Sequence, residues 1–203
     1  MLQEFLTTFI PLLIIVNPSS TLALFTVLTS KSTKKERVMT ARNAVIYAAI
    51  LLIIFAFTGS AILHYLGISI PALRIAGGIL LGFVGLDMLR RGEQFGEEPP
   101  GKGEKITTDF ALVPLALPSL SGPGAITLTI VSMQTAQWWM VILAILLTMV
   151  ISFIVFMGSV FVNKILGKKG MDAFTRIMGL LTVAIAIQFA LTGIAEWLPT
   201  IQW

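Results

Sequence analysis

From Phe110 to Asn163 the chain runs for 54 residues without one charged side chain. A hydrocarbon layer about 30 Å thick is crossed by about 20 residues of helix. The run is too long for one crossing and right for two, with a turn at Met133-Gln134-Thr135-Ala136-Gln137. Four further apolar runs surround it. Phe5 to Ser30 has no charge, and Asn43 to Leu73 has none except the possible charge of His64. Arg74 to Leu89 is apolar apart from Arg74 and Asp87, and Ile177 to Ala195 has no charge. These runs predict six spans.

Composition agrees. Charged residues make up 12% of the 203 residues and hydrophobic ones 56%, whereas a soluble domain has about 25% charged residues. That excludes an ordinary soluble enzyme, a nucleic-acid-binding domain and a disordered linker. There is no cysteine and one histidine, so thiolate and His-rich metal sites are excluded. No phosphate-binding or dinucleotide-binding glycine motif occurs. No metal and no cofactor is expected. The leading segment Met1-Leu2-Gln3-Glu4 is acidic and the following apolar run long, which argues against a cleaved signal peptide.

Of the 14 Lys and Arg residues, 13 fall in alternate loops. Lys31, Lys34, Lys35, Arg37 and Arg42 follow span one. Arg90, Arg91, Lys102 and Lys105 follow span three, and Lys164, Lys168, Lys169 and Arg176 follow span five. The positive-inside rule makes these loops cytoplasmic and puts both termini outside. Trp138, Trp139, Trp197 and Trp203 then all reach the outer interface, which suits indole rings. The net charge of +4 is a topology signal, and no nucleic-acid partner is expected.

The chain also resembles itself at a spacing near 100 residues. Val16-Asn17-Pro18-Ser19-Ser20 matches Ser121-Gly122-Pro123-Gly124-Ala125. Gly59-Ser60 with Leu66-Gly67 matches Gly158-Ser159 with Leu166-Gly167, and Arg74-Ile75-Ala76-Gly77 matches Arg176-Ile177-Met178-Gly179. Each half holds three spans, an odd number, so the halves enter the membrane in opposite senses. The expected architecture is an all-α membrane protein of six transmembrane helices in two inverted three-helix repeats, 1–91 and 109–203, joined by a cytoplasmic linker at 92–108. Inverted repeats recur in secondary transporters, whose sites lie at mid-membrane between broken helices.

Two spans carry such breaks. Pro18 has no N–H and its ring clashes with the preceding turn. It is followed by Ser19, Ser20 and Thr21, which suit a new helix start. Asn17 lies 13 residues after Glu4 and 14 before Lys31, near mid-membrane. Span four holds Pro114, Pro118 and then Ser119-Leu120-Ser121-Gly122-Pro123-Gly124, with Gly122 13 residues after Asp109 and 16 before Trp138. Non-helical backbone at that depth is tolerated only inside protein or beside a watery cavity. Freed carbonyls suit an ammonium group, and the next half-helix N-terminus suits a carboxylate. The candidate substrate residues are therefore Asn17, Pro18, Ser19, Ser20, Thr21, Ser119, Ser121, Gly122, Pro123 and Gly124.

The Asn17-Pro18 break, the segment from Pro118 to Gly124, and Arg74-Ile75-Ala76-Gly77-Gly78 through Leu86-Asp87-Met88-Leu89 resemble the MarC family of membrane proteins, also called UPF0056 or SnatA-like. The resemblance covers nearly the whole chain. It implies six helices in two inverted halves. It also implies transport of small neutral amino acids, of the glycine and alanine class, coupled to an ion gradient, with the proton as coupling ion. Ser20 stands where the resemblance leads one to expect glycine.

Asp87 is the only carboxylate inside an expected span, which makes it a candidate for ion coupling. It also lies three and four residues before Arg90 and Arg91, at ion-pair spacing. Gly78, Gly82 and Gly85 form a small-residue stripe that suits close helix packing against span six. Ser60 and His64 are one turn apart, but an oxyanion site and an orienting group are missing, so the chain is not read as an enzyme. The expected function is a secondary, alternating-access carrier in the plasma membrane, contacting lipid, amino acid and proton. The alternatives are a channel or exporter for another small polar solute, or a non-transporting scaffold.

Overall fold

The computed structural model describes residues 2–30, 32–91 and 111–200. The expected linker, 92–108, lies outside the described residues, as does Trp203. Among the described residues the regular elements are all helices: α1 (Leu2–Val16), α2 (Pro18–Leu28), α3 (Lys34–Tyr65), α4 (Ile70–Arg91), a distorted segment (Leu112–Leu120), α5 (Pro123–Thr135), α6 (Trp138–Met157) and α7 (Ser159–Trp197). A short 3₁₀ turn, Leu198–Thr200, closes the described chain.

Five stretches are long and apolar enough to cross a membrane: Leu2–Leu28, Lys34–Tyr65, Ile70–Arg90, Trp138–Met157 and Lys169–Thr200. A sixth arises if Leu112–Leu120 and Pro123–Thr135, bent by 54° to each other, are taken as one. The expected turn after α5 falls at Ala136 and Gln137.

Helix ends run beyond the apolar runs. The third helix starts at Lys34, nine residues before Asn43, because Thr33 and Glu36 form a capping box. The Glu36 carboxylate accepts from the Thr33 N–H at 2.7 Å, and the Thr33 hydroxyl accepts from the Glu36 N–H at 3.3 Å. The helix stops where Gly67, with φ 69°, lets its own N–H reach the His64 carbonyl (3.1 Å) and the Ile68 N–H reach that of Leu63 (2.9 Å). The basic stretch before the last span is not an open loop. It is helical within α7, interrupted at Gly167 with φ 58° and ψ −176°. Lys and Arg are good helix formers, so a basic stretch can continue a helix.

Apolar side chains facing outward are no liability in lipid, and Ile79, Phe83, Leu180 and Ile187 are all exposed. Helix association in lipid depends on close packing instead. The closest packing joins α4 to α7. A Cβ on Gly78 would lie 2.7 Å from the Ala186 carbonyl oxygen, and one on Gly85 would lie 2.9 Å from that of Gly179. Backbone meets backbone at both points. Gly82, between them, would gain only an ordinary 3.9 Å contact. The expected stripe does face the last span, but through Gly78 and Gly85. Elsewhere Phe25 of α2 stacks on Phe156 of α6 at 4.7 Å, both fully buried, and the Arg37 guanidinium sits 5.8 Å from the Phe25 ring centre.

Candidate functional site

The first break is one residue wide. Asn17 adopts a left-handed conformation, φ 42° and ψ 68°, and Pro18 opens α2. Asparagine tolerates this region because its short polar side chain can bond locally. Its backbone carbonyl accepts from the N–H groups of Ser20 (3.1 Å) and Thr21 (3.5 Å), and its Oδ1 accepts from the Ser19 hydroxyl at 2.7 Å. Its Nδ2 has no acceptor, and neither does the Thr21 hydroxyl find a partner. Both residues are fully buried. Buried polar groups left unpaired in this way are rare and costly.

The second break is wider. Val113 and Leu117, each preceding a proline, are extended, and the Val113–Pro114 and Leu117–Pro118 bonds are cis. The Ser119 hydroxyl donates to the Pro114 carbonyl at 2.9 Å. The Ser121 hydroxyl and N–H both donate to the Ala116 carbonyl, at 2.7 and 2.9 Å. Gly122 then turns the chain and Pro123 opens α5. A Cβ at Gly122 would sit 2.7 Å from the Pro118 carbonyl oxygen, so this turn requires glycine.

Beside this second break lies a cavity of about 530 Å³. Ser119, Gly122, Pro123 and Gly124 line one side. Val84, Asp87 and Arg90 of α4 face them, and Ile15 of α1 closes a corner. The first four are candidate substrate residues, and Asp87 is the candidate for ion coupling. Asn17, Pro18, Ser19, Ser20 and Thr21 do not line it; Ile15 is the residue nearest the first break that does. Ser121 is turned inward, fully buried on its two bonds to Ala116. Asp87 and Arg90 share the cavity, so the ion-pair and coupling readings of Asp87 refer to the same place.

The α5 N-terminus faces the cavity with backbone N–H groups that have no acceptor within the helix. The opposite wall carries a carboxylate and a guanidinium. The cavity therefore offers both signs of charge at the edge of an apolar bundle. Among the described residues no cluster of three or more His, Asp or Glu side chains could hold a metal ion. Reading the sequence alone missed Arg90 as a lining residue. Val84, Asp87 and Arg90 recur every three residues, a helical face, but their spacing does not say what that face meets.

A family model described as MarC family integral membrane protein matches residues 2–198. The chain belongs to the MarC family. A UPF0056 membrane protein of Methanocaldococcus jannaschii is 40% identical to this MarC family chain over 199 residues, covering 95% of this chain and 97% of the relative. A UPF0056 membrane protein of Aquifex aeolicus is 34% identical over 203 residues, covering 96% and 94%. The UPF0056 inner membrane protein MarC of Citrobacter koseri is 32% identical over 205 residues, covering 93% of each. No solved structure matches. Like its MarC family relatives, the chain is an integral membrane protein with several spans, and nothing in their names points to catalysis.

Proposed function

We propose that this protein is a secondary carrier for small neutral amino acids of the glycine and alanine class, coupled to protons, with its substrate site in the cavity between α4 and the second break. The observation that carries the reading is the meeting of Asp87 with the α5 N-terminus across about 530 Å³. The N–H groups after Pro123 suit a carboxylate. The Asp87 carboxylate suits an ammonium group or a coupling proton. The cavity volume suits a compact solute.

The reading takes the chain as two inverted halves in a plasma or inner membrane, with basic loops inside and termini outside. Three pairs of features support it. Pro18 and Pro123 each open a helix behind a break, Gly67 and Gly167 both have positive φ, and Arg74 and Arg176 both lie near the start of a span. The second break borders a cavity that the residues of the first break do not line. Such asymmetry suits one state of an alternating-access cycle, in which the halves rock around the site.

The test is counterflow of labelled glycine and alanine into liposomes holding the purified protein, with Val84→Phe as the control. Val84 is half-buried on the cavity wall, so Phe fills space without replacing a glycine. Saturable exchange lost in Val84→Phe supports a carrier with this site. Flux without saturation points to a channel. No exchange with folded protein removes amino-acid transport.

A further inference from the structure

Arg74 is the one Lys or Arg outside the basic loops, and it is buried, with 7% exposure. Its Nη1 pairs with Glu196 Oε1 of α7 at 2.8 Å. Its Nε is buried and has no acceptor. A guanidinium carries five N–H donors in a rigid fork, and a single carboxylate contact leaves most of that fork uncommitted. An unpaired donor on a buried cation is costly. Arg74 also lines a second cavity, of about 200 Å³, at the end of α4 opposite Asp87. The other polar side chains there are Glu4, Thr7 and Thr8 of α1 and Ser132 and Thr135 of α5.

We propose that this second cavity is a binding site for a small zwitterion, with the solute's carboxylate on the Arg74 guanidinium and its ammonium group toward Glu4. A plain anion suits the pocket less well, because Glu196 already shares Arg74 and Glu4 adds a second negative charge. A plain cation suits it less well because of Arg74. A solute carrying both charges answers both sides. The Glu4 carboxylate has about four acceptor positions, so an existing contact does not exclude another. Thr8, Ser132 and Thr135 add neutral hydroxyls, and the volume limits the solute to a few heavy atoms. The site is separate from the central cavity and rests on the carrier reading only for glycine as probe.

The test is equilibrium binding of labelled glycine to the full chain in detergent, in a Val84→Phe background that fills the central cavity. Arg74→Lys keeps the positive charge and its reach toward Glu196 but loses Nε and the fork. Binding at least tenfold weaker in Arg74→Lys, with an unchanged melting temperature, is expected. Thr135→Phe is an independent block, since Thr135 is exposed at the pocket edge, and it is expected to abolish the same binding. Glu196→Gln frees the guanidinium and is expected to tighten competition by acetate. No glycine binding in the Val84→Phe background, or equal binding in Arg74→Lys and Thr135→Phe, overturns the proposal. Failure of counterflow with this binding intact overturns the carrier reading alone.

Discussion

Arg176 Nη1 donates to the backbone carbonyl of Leu89 at 3.0 Å. Leu89 lies in the last turn of α4, where carbonyls have no acceptor role within the helix. At the other end of the same helix pair, Arg74 near the start of α4 reaches Glu196 near the end of α7. The two antiparallel helices are thus clasped at both ends by arginines that occupy matching places in the sequence. The Arg176 clasp is exposed, so it contributes at most about 1 kcal/mol. Arg176→Gln is expected to lower the melting temperature slightly. Arg74→Gln is expected to lower it more, because Arg74 is buried. Thermal unfolding in detergent measures both, and a larger loss at Arg176 contradicts the assignment.

The glycine contacts between α4 and α7 make a sharper prediction. Gly85→Ala and Gly78→Ala each drive a methyl into backbone atoms, an overpacking that costs about 1–3 kcal/mol. Gly82→Ala meets only an ordinary contact and is expected to be neutral, or slightly stabilising through helix propensity. A melting series of the three variants separates them. Equal losses in all three would mean the helices do not touch where described.

How far the fold was legible follows from these residues. Pro18 and Pro123 announced helix breaks, because a missing N–H is written in the residue itself. Gly78 and Gly85 announced a close contact, and the last span, the expected neighbour, is the one they meet. The start of α3 was also written, in Thr33 and Glu36, but the apolar run drew attention to Asn43 instead. That Asp87 and Gly122 line one cavity was not legible. Asp87 lies on a helical face and Gly122 at a helix break, but neither pattern carries information about its neighbour. The Arg74–Glu196 pair was hidden for the same reason.

Phe156 stacks on Phe25, and both are fully buried. Phe156→Ala leaves a cavity with no lipid or water to fill it, at a cost of about 3–5 kcal/mol. Phe156→Leu is expected to cost clearly less. Chemical denaturation from mild detergent, monitored by circular dichroism, compares the two.

The absence of cysteine from the sequence makes the orientation directly testable. Gln137→Cys, exposed between α5 and α6, is expected to react with an impermeant maleimide added to intact cells. Ser30→Cys, exposed at the end of α2, is expected to react only after the membrane is opened. The reverse pattern would turn the whole chain over.

Asp87→Asn tests the coupling. If the carboxylate carries the proton, the variant still exchanges labelled glycine, but an imposed pH gradient no longer drives accumulation. Unchanged accumulation assigns Asp87 to a structural ion pair.

One helix borders both cavities. Arg74 and Asp87 lie 13 residues apart on α4, about 20 Å at 1.5 Å per residue. Gly78 and Gly85 seat the stretch between them against α7. The contacts continue to both ends, where a Cβ on Gly193 would lie 2.8 Å from the Pro71 carbonyl oxygen and one on Gly179 2.8 Å from the Met88 Cβ. Two rods joined along their whole length move as one plank, so any displacement of α4 carries α7 with it and is felt in both chambers at once.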